Sequence, residues 1–415
     1  SALPAQVRDT AIIIRAGRLI DGESNAVATD QAIVIQGGRI QSVGPWAAAR
    51  RPAGARVIDL SAATVLPGLI DNHTHLLLQG DITTQDYNVQ LLEQSIPYRA
   101  ILGARNAQRA LMQGFTALRD VETEGAMYAD VDIKRAINRG EVPGPRLFVA
   151  TRAMAPTGAY GITTGNWEID LPRGVQIVDG VDAIRQAVRE QVRHGADLIK
   201  YYSDRGYYVG SDSVLHSRAN FTDEEARALV DEAHRLGRPV AAHAIGREGI
   251  ESALRAGVNS IEHGMGITDD LAQRMVQQGV YWCPTLFVGE YVAPGRSATG
   301  SPIWVQMIEY HRRGFQAALR AGVKISYGTD MGGLAWDVPM VADFPIMVRY
   351  GMTPMQAIQS ATSVAAQLLG QERNFGTVQA GRYADIIAVP GDPLADINQL
   401  GRVLFVMKGG VVYKN

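Results

Sequence analysis

Apolar and polar positions along residues 105–330 repeat in a helix-then-strand order. Each repeat has an amphipathic helix, a glycine, and a short apolar strand that ends in a polar residue. Glycine adopts the left-handed conformation that ends a helix more easily than other residues, so each repeat contains its own stop signal. The strands of these repeats are predicted at residues 115–120, 196–200, 239–243, 258–263, 280–284 and 323–330.

Two further apolar strands are predicted at residues 63–72 and 145–150, which brings the total to eight. Thr222 with Glu225, and Thr353 followed by proline, predict helix starts between and after these strands. The fold class is therefore predicted to be α/β, with a (β/α)8 TIM-like barrel. A doubly wound open sheet is the alternative, but a His-Thr-His segment follows the first strand in place of that fold's glycine-rich phosphate turn.

The two ends of the chain show short alternating strands separated by glycine turns, within residues 11–60 and 374–415. Each end is too small to fold alone, and two such pieces that flank a barrel would most economically pair with each other. We therefore expect a composite small β-sandwich-like domain from residues 1–62 and 374–415, and a barrel domain from residues 63–373.

Composition and charge narrow the classes of partner. The chain has 415 residues, of which 46% are hydrophobic and 20% are charged, which is enough apolar material for a large core. Its formal net charge of -2 favours neither nucleic acid nor an anionic membrane surface as a partner. The single cysteine, Cys283, cannot form an internal disulfide.

The sequence does not fix the cellular compartment of the protein. We find no apolar run of about 18 residues, so a membrane span is not expected. The polar lead-in at residues 1–9 begins with serine instead of methionine. This favours a soluble exported or periplasmic protein whose signal has been removed, with a cytoplasmic protein as the alternative.

The polar residues at the ends of the predicted strands are the candidate functional residues. His73 and His75 are two positions apart, so their side chains leave the same face of a strand. Lys200, His243, His263 and Asp330 each end a different predicted strand. In a barrel these ends meet at one mouth, and burying so many ionisable groups costs several kcal/mol each unless they are paired or bind metal.

Four imidazoles and a carboxylate are a ligand set that suits zinc, manganese, cobalt or nickel, and does not suit calcium. The lysine is unusual in such a set because an ammonium group repels a cation. A desolvated lysine has a lowered pKa, however, and its neutral amine can add carbon dioxide to become an anionic carbamate. Such a carbamate has two oxygens and can bridge two metals.

The chain resembles the amidohydrolase superfamily over essentially its whole length. The resemblance rests on Val65-Leu-Pro-Gly-Leu-Ile-Asp-Asn-His-Thr-His75, on the lysine, histidines and aspartate at the later strand ends, and on the segment Gly376–Pro393. Within the superfamily it is most similar to the imidazolonepropionase-like and Xaa-Pro dipeptidase-like branch, which includes carboxypeptidase-type and ochratoxin-hydrolysing enzymes.

The resemblance implies a binuclear metal centre. His73, His75 and Asp330 would bind one divalent ion, His243 and His263 the second, and Lys200, carboxylated by carbon dioxide, would bridge the two. Zinc is the expected metal, with manganese, cobalt or nickel as alternatives. A water held between the ions would attack a carbonyl group, with Asp330 as the general base and then the general acid.

The expected function is hydrolysis of an amide C–N bond in a small molecule, such as an N-acyl amino acid or a dipeptide-like compound. Hydrolysis of a cyclic amide or lactone is the alternative, and a non-catalytic scaffold is a third possibility. A homo-oligomer is expected, because barrel faces and small β-domains often support oligomers in such families.

Substrate contacts are expected from loops where the chain departs from its relatives. Peptidase-like relatives carry Thr-Gly-Gly-His after the third strand, whereas this chain has Tyr160 at the histidine position. The Tyr160 phenol can still donate a hydrogen bond to substrate. Arg152 is a candidate partner for a substrate carboxylate, or else a solvated arginine. Tyr201 and Tyr202 form either an aromatic wall for substrate or loop packing.

Overall fold

The computed structural model describes residues 10–80, 84–162 and 166–415, so the lead-in at residues 1–9 lies outside the described residues. The strands are β1 (Ile12–Ile20), β2 (Val27–Gln36), β3 (Arg39–Pro45), β4 (Arg56–Pro67), β5 (Leu69–Thr74), β6 (Phe115–Asp120), β7 (Arg146–Val149), β8 (Met154–Ala155), β9 (Gln176–Ile177), β10 (Ile199–Tyr202), β11 (Asp204–Val209), β12 (Leu215–Ala219), β13 (Val240–Ala244), β14 (Ser260–His263), β15 (Tyr281–Cys283), β16 (Ile386–Pro390), β17 (Phe405–Lys408) and β18 (Val411–Lys414).

The α-helices are α1 (Thr84–Glu93), α2 (Ile96–Met112), α3 (Ala129–Asn138), α4 (Val181–His194), α5 (Asp223–Arg235), α6 (Arg247–Ala256), α7 (Asp269–Gln278), α8 (Leu286–Ala298), α9 (Ile303–Ala321), α10 (Asp343–Arg349), α11 (Pro354–Ser360) and α12 (Ser363–Leu368). Short 3-10 helices occupy Trp46–Ala48 and Ile397–Gly401. Among the described helices, none combines the length and the apolar character that a membrane crossing requires.

The barrel is built from parallel strands joined edge to edge. Strands β5, β6 and β7 form one run, and β10, β13, β14 and β15 form another. A hydrogen bond from the backbone N of Asp197 to the carbonyl of Val149 links the two runs. The predicted α/β fold class is confirmed, and these strands follow one another in the order that the predicted (β/α)8 barrel requires.

The eighth barrel position, predicted as a strand over residues 323–330, is an irregular segment hydrogen-bonded on both sides. The backbone N of Ser326 donates to the carbonyl of Trp282, and the backbone N of Asn72 donates to the carbonyl of Tyr327. These bonds close the ring between β15 and β5. The segment ends at Asp330, whose φ angle is positive.

The strand predicted over residues 63–72 is two strands in two sheets. β4 pairs with β1 and β16 in the terminal sheet, while β5 begins the barrel, and Gly68 lies between them. A Cβ atom on Gly68 would lie 2.1 Å from the Thr116 hydroxyl, so a side chain does not fit there. The chain therefore passes from one sheet to the other at Gly68.

Both termini contribute to the terminal sheet, as predicted. Its seven strands run in the order β18-β17-β16-β4-β1-β2-β3. One face packs around Ile14, Ile33, Val65, Ile386 and Phe405, which are all buried. The predicted domain boundary at residue 62 falls within β4.

Local signals in the sequence match the helix ends. Thr222 and Thr353 each accept a hydrogen bond in a capping box, at the starts of α5 and α11. The glycines after α4, α6, α7 and α9 all adopt left-handed conformations. The hairpin β11–β12 was not predicted, and it follows directly after the strand that carries Lys200.

Candidate metal centre

The residues predicted as metal ligands come together at the carboxyl ends of the barrel strands. They are all nearly or fully buried: His73, His75, Lys200, His243, His263 and Asp330. Five of them line one cavity of about 330 Å³. The sixth, His73, is adjacent, because its ring centroid is 4.8 Å from that of His263 and 5.4 Å from that of His75.

Asp330 faces the two histidines of β5. Its Oδ1 atom is 2.9 Å from His75 Nε2 and 3.5 Å from His73 Nε2. One ligand atom each from His73, His263 and Asp330 lie within 4.8 Å of one another. The ring centroids of His243 and His263 are 4.6 Å apart, so the second histidine pair adjoins the first.

Each histidine uses one ring nitrogen to contact the protein and keeps the other for the site. The contacts are His73 Nδ1 to Glu262 at 2.7 Å, His75 Nδ1 to the carbonyl of Glu122 at 3.3 Å, His263 Nδ1 to the Thr285 hydroxyl at 2.8 Å, and His243 Nε2 to the Tyr207 hydroxyl at 2.8 Å. Among the described residues, the buried Nε2 of His73 has no hydrogen-bond partner. An orphaned imidazole nitrogen beside a carboxylate and further imidazoles fits a divalent metal ion.

The ionisation of the site favours metal binding. Burial is the main cause that lowers the pKa of His73 to about 4, and it also lowers the pKa values of His243 and His263 well below their usual range. Burial alone would raise the pKa of Asp330, but the hydrogen bond from His75 and the neighbouring His73 and His263 lower it overall. Neutral imidazoles and an ionised carboxylate are the forms that bind metal.

Hydrogen bonds to the Asp71 carboxylate and between backbone groups hold β5 and the eighth segment together. Asp71 accepts hydrogen bonds from the backbone N of His73 at 2.9 Å and from the Thr329 hydroxyl at 2.6 Å. The backbone N of Asp330 donates to the carbonyl of His73 at 2.8 Å. Asp330 and His263 both have positive φ angles, 61° and 70°, which are uncommon for residues other than glycine.

Two buried carboxylates near the site were missed by the sequence analysis. Glu122 and Glu124 follow β6 and form a group with His75 whose ligand atoms lie within 4.8 Å of one another. Burial and the neighbouring Glu124 raise the pKa of Glu122 well above its usual range. Their position directly after a barrel strand, like that of the predicted ligands, was a signal that could have found them.

Two of the predicted substrate residues lie in the cavity. The rings of Tyr160 and Tyr202 stack with centroids 4.5 Å apart. The Tyr160 hydroxyl donates to Glu124 at 3.0 Å, and the Tyr202 hydroxyl donates to Glu122 at 2.6 Å.

The other two predicted substrate residues do not line the cavity. Tyr201 is fully buried and packs against Phe221, because it points to the opposite face of β10 from Lys200 and Tyr202. The side chain of Arg152 interacts with Tyr128 instead.

Two arginines that the sequence analysis did not single out line the cavity. The guanidinium carbon of Arg205, on β11, is 4.6 Å from the ring centroids of both Tyr160 and Tyr202. That of Arg296, on α8, is 3.8 Å from the ring centroid of Trp304. Within the part of the chain that the structure describes, neither arginine forms an ion pair with a carboxylate.

Comparison with known proteins decides the family, since residues 64–413 match the amidohydrolase family. The chain belongs to this family. The amidohydrolase is 31% identical to an ochratoxinase from Aspergillus niger over 97% of this chain and 86% of the relative. It is 28% identical to an imidazolonepropionase from Deinococcus radiodurans, over 89% of this chain and 88% of the relative.

The solved structures place the amidohydrolase in the same branch. A structure of a Xaa-Pro dipeptidase with methionine bound in its active site superposes with a TM-score of 0.87 at 34% identity, covering 98% of this chain and 100% of the other. The predicted branch of the superfamily is confirmed. The protein is a hydrolase that acts on carbon–nitrogen bonds, in a family that is generally metal-dependent.

Proposed function

We propose that this amidohydrolase is a binuclear metal hydrolase that cleaves the amide bond of a small N-acyl amino acid or dipeptide-like compound. The observation that carries the proposal is the convergence of the predicted ligands at one cavity that also contains two arginines. The similarity to an ochratoxinase and to a Xaa-Pro dipeptidase supports an amide as the scissile group.

The ligands divide between two ions. His73, His75 and Asp330 would hold the first, His243 and His263 the second, and Lys200 would be shared by both after carboxylation. In that reaction the neutral Nζ amine adds to the carbon of carbon dioxide and loses a proton, which gives an anionic carbamate. Zinc fits this mixed nitrogen and oxygen set, as do manganese, cobalt and nickel.

The chemistry of cleavage follows from the charge of the site. Bound divalent ions supply Lewis acidity, which polarises a carbonyl group and acidifies water. The ionised Asp330 accepts the proton of the attacking water at its carboxylate and transfers it to the leaving nitrogen. The stacked rings of Tyr160 and Tyr202 form an apolar wall of the cavity and would limit the access of bulk water to this proton transfer.

The two arginines favour a substrate with a free carboxylate. Arg205 and Arg296 line the cavity without a carboxylate partner among the described residues, and each guanidinium group lies against aromatic rings. A guanidinium recognises a carboxylate through paired hydrogen bonds. The carboxylate role expected for Arg152 is therefore reassigned in this proposal to Arg205 and Arg296.

The test of the proposal is a product screen by mass spectrometry. Metal-loaded protein is incubated with pools of N-acyl amino acids, dipeptides, cyclic amides and lactones, with Asp330→Asn as the blank. Cleavage of a linear amide by the wild type alone is the expected result. Opening of ring compounds alone would favour the cyclic-amide alternative, and full activity in metal-free protein would refute the proposal.

Arg205→Met is expected to raise KM for carboxylate-bearing substrates by about 10-fold to 100-fold, because a hydrogen bond to a charged group contributes about 1.5–3 kcal/mol. Steady-state kinetics with a substrate and its carboxamide analogue measure the effect. Arg152→Met is the matched control, since Arg152 lies outside the cavity lining. An equal effect of Arg205→Met on both compounds would contradict carboxylate recognition.

Tyr160→Phe is expected to lower kcat by at least about 10-fold without loss of metal. The Tyr160 hydroxyl donates to Glu124 in the protein without substrate, and in this proposal it turns to donate to the reacting carbonyl once substrate binds. Turnover and metal content are measured on the same sample. Tyr208→Phe serves as the control, since Tyr208 lies on the outer part of β11 and stacks on His216. Unchanged turnover in Tyr160→Phe would remove this hydroxyl from the reaction.

A further inference from the structure

A buried ion pair spans the barrel interior next to the candidate metal centre. Nη2 of Arg119, on β6, lies 2.7 and 2.8 Å from the two carboxylate oxygens of Glu262, on β14. Glu262 Oε2 in turn lies 2.7 Å from His73 Nδ1, on β5. The three residues link three strands of the barrel through their side chains.

The surroundings of Glu262 leave it little freedom to move. Ser260 donates its hydroxyl to Glu262 Oε1 at 2.5 Å, and Arg119 also donates to Ser260 at 3.0 Å and to the carbonyl of Asn72 at 2.5 Å. Glu262 is completely buried, and so is His73. Because the guanidinium neutralises the carboxylate and both neighbours are fixed by further hydrogen bonds, the carboxylate is held in one orientation.

The Nδ1 of His73 is hydrogen-bonded to a charged partner, whereas the hydrogen-bond partners of the other three site histidines in these contacts are uncharged. His75 contacts a peptide carbonyl at 3.3 Å, which can only accept, and His243 and His263 contact hydroxyl groups, which can either donate or accept. Carboxylates lie farther from the nitrogens in these contacts, with Glu124 4.0 Å from His75 Nδ1 and Asp204 3.8 Å from His243 Nε2. An ionised carboxylate can only accept. Contact with Glu262 therefore requires the hydrogen of His73 to be on Nδ1, which leaves the Nε2 lone pair facing Asp330 at 3.5 Å.

We propose that Glu262, held in place by Arg119, is a positioning residue that fixes the orientation and tautomer of His73 for metal binding. The proposal rests on the proposed role of His73 as a metal ligand. A carboxylate behind a ligating imidazole also increases the basicity of that imidazole, so the site should retain metal more strongly than it would with a neutral partner.

The test compares Glu262→Gln with wild type in two measurements. A glutamine can turn its amide NH2 towards His73 Nδ1, which would move the imidazole hydrogen to Nε2 and block the ligand atom. Competition between the protein and a chelator for Zn²⁺, read as bound metal per chain, is expected to show affinity lowered by about 10-fold to 100-fold. Nitrogen-15 NMR of labelled histidine rings in metal-free protein is expected to show the change of tautomer directly.

A matched control is available in the chain. His216 Nδ1 lies 2.6 Å from Glu248 Oε1, which is the same type of pair outside the cavity lining. Glu248→Gln should leave Zn²⁺ affinity unchanged. If Glu262→Gln does not fold, Glu262→Asp keeps the charge that Arg119 requires but shortens the side chain, so it should keep the tautomer and still lower the affinity.

The outcomes separate this proposal from the proposed function. Wild-type Zn²⁺ affinity together with the wild-type His73 tautomer in Glu262→Gln, or wild-type affinity in Glu262→Asp, would overturn the positioning role. If wild-type protein bound no metal, the proposed function would fail, while the NMR measurement would still report whether Glu262 sets the His73 tautomer.

Discussion

Asp330→Asn is expected to lower kcat by about 10²-fold to 10⁴-fold, the range that a positioned general base and acid contributes. Asparagine has nearly the same shape as aspartate, but its amide cannot accept the proton of the attacking water. In the wild type, the hydrogen bond from His75 and the neighbouring imidazoles offset burial and keep the carboxylate ionised. The variant is measured with the best substrate from the product screen.

Metal content must be measured together with turnover in this variant, because Asp330 is also a proposed ligand. Activity is therefore compared at saturating Zn²⁺, with bound metal determined on the same sample. Asp337→Asn is the matched control, since Asp337 is an exposed aspartate in the same loop. Wild-type kcat in the metal-loaded Asp330→Asn variant would exclude Asp330 as the proton carrier.

Lys200→Ala is expected to lose bound metal and to lower kcat by about 10³-fold, since the oxygens of the proposed carbamate would supply several kcal/mol of charge stabilisation to the centre. Added acetate should restore part of both properties. The truncated side chain leaves room beside the cavity, and a small carboxylate can supply the two oxygens that the proposed carbamate would provide.

Lys200→Met separates this rescue from a general effect of acetate. The methionine side chain fills the space left by lysine, so acetate should not restore metal or turnover in this variant. Lys134→Ala tests the loss of a lysine elsewhere, since Lys134 pairs with Asp197 outside the cavity. If acetate restored neither property in a folded Lys200→Ala protein, the carboxylation of Lys200 would be disproved.

The strand-end residues could be predicted from the sequence because a recognisable local pattern precedes them. A helix, a glycine and a short apolar strand precede Lys200, His243 and His263, and parallel strands in a barrel must bring their carboxyl ends together. The placement of Tyr201 away from the cavity could also have been deduced. It lies between Lys200 and Tyr202 on one strand, and alternate side chains point to opposite faces.

Glu262 shows why other parts of the site could not be predicted. Alternation along β14 predicts that Glu262 and His263 point to opposite faces, yet Glu262 contacts His73 and His263 lies beside the same ring. The positive φ of His263 changes the direction of the chain and brings both side chains inward. A pattern of apolar and polar positions contains no information about such a conformation at a single residue.

Side-chain contacts between residues far apart in the sequence also could not be predicted. Arg119 is followed in the chain by an acidic residue, Asp120, yet its side chain binds Glu262, 143 positions away. Arg296 lies within a helix, where no strand-end signal exists, and its place in the cavity depends on the path of α8. The turn at residues 210–214, in contrast, separates two short strands and was a usable signal for the hairpin that carries Arg205.

The left-handed backbone conformation of His263 and Asp330 makes the stability of the fold depend on whether metal is bound at the proposed site. For residues other than glycine this conformation costs about 1–2 kcal/mol each, although less for aspartate, so these two proposed metal ligands lower the stability of the metal-free protein. Bound ions offset that cost by mass action. The melting temperature of this enzyme is thus expected to depend on metal supply. Glycine or asparagine at these two positions is expected to raise the stability of the metal-free protein and to lower its activity.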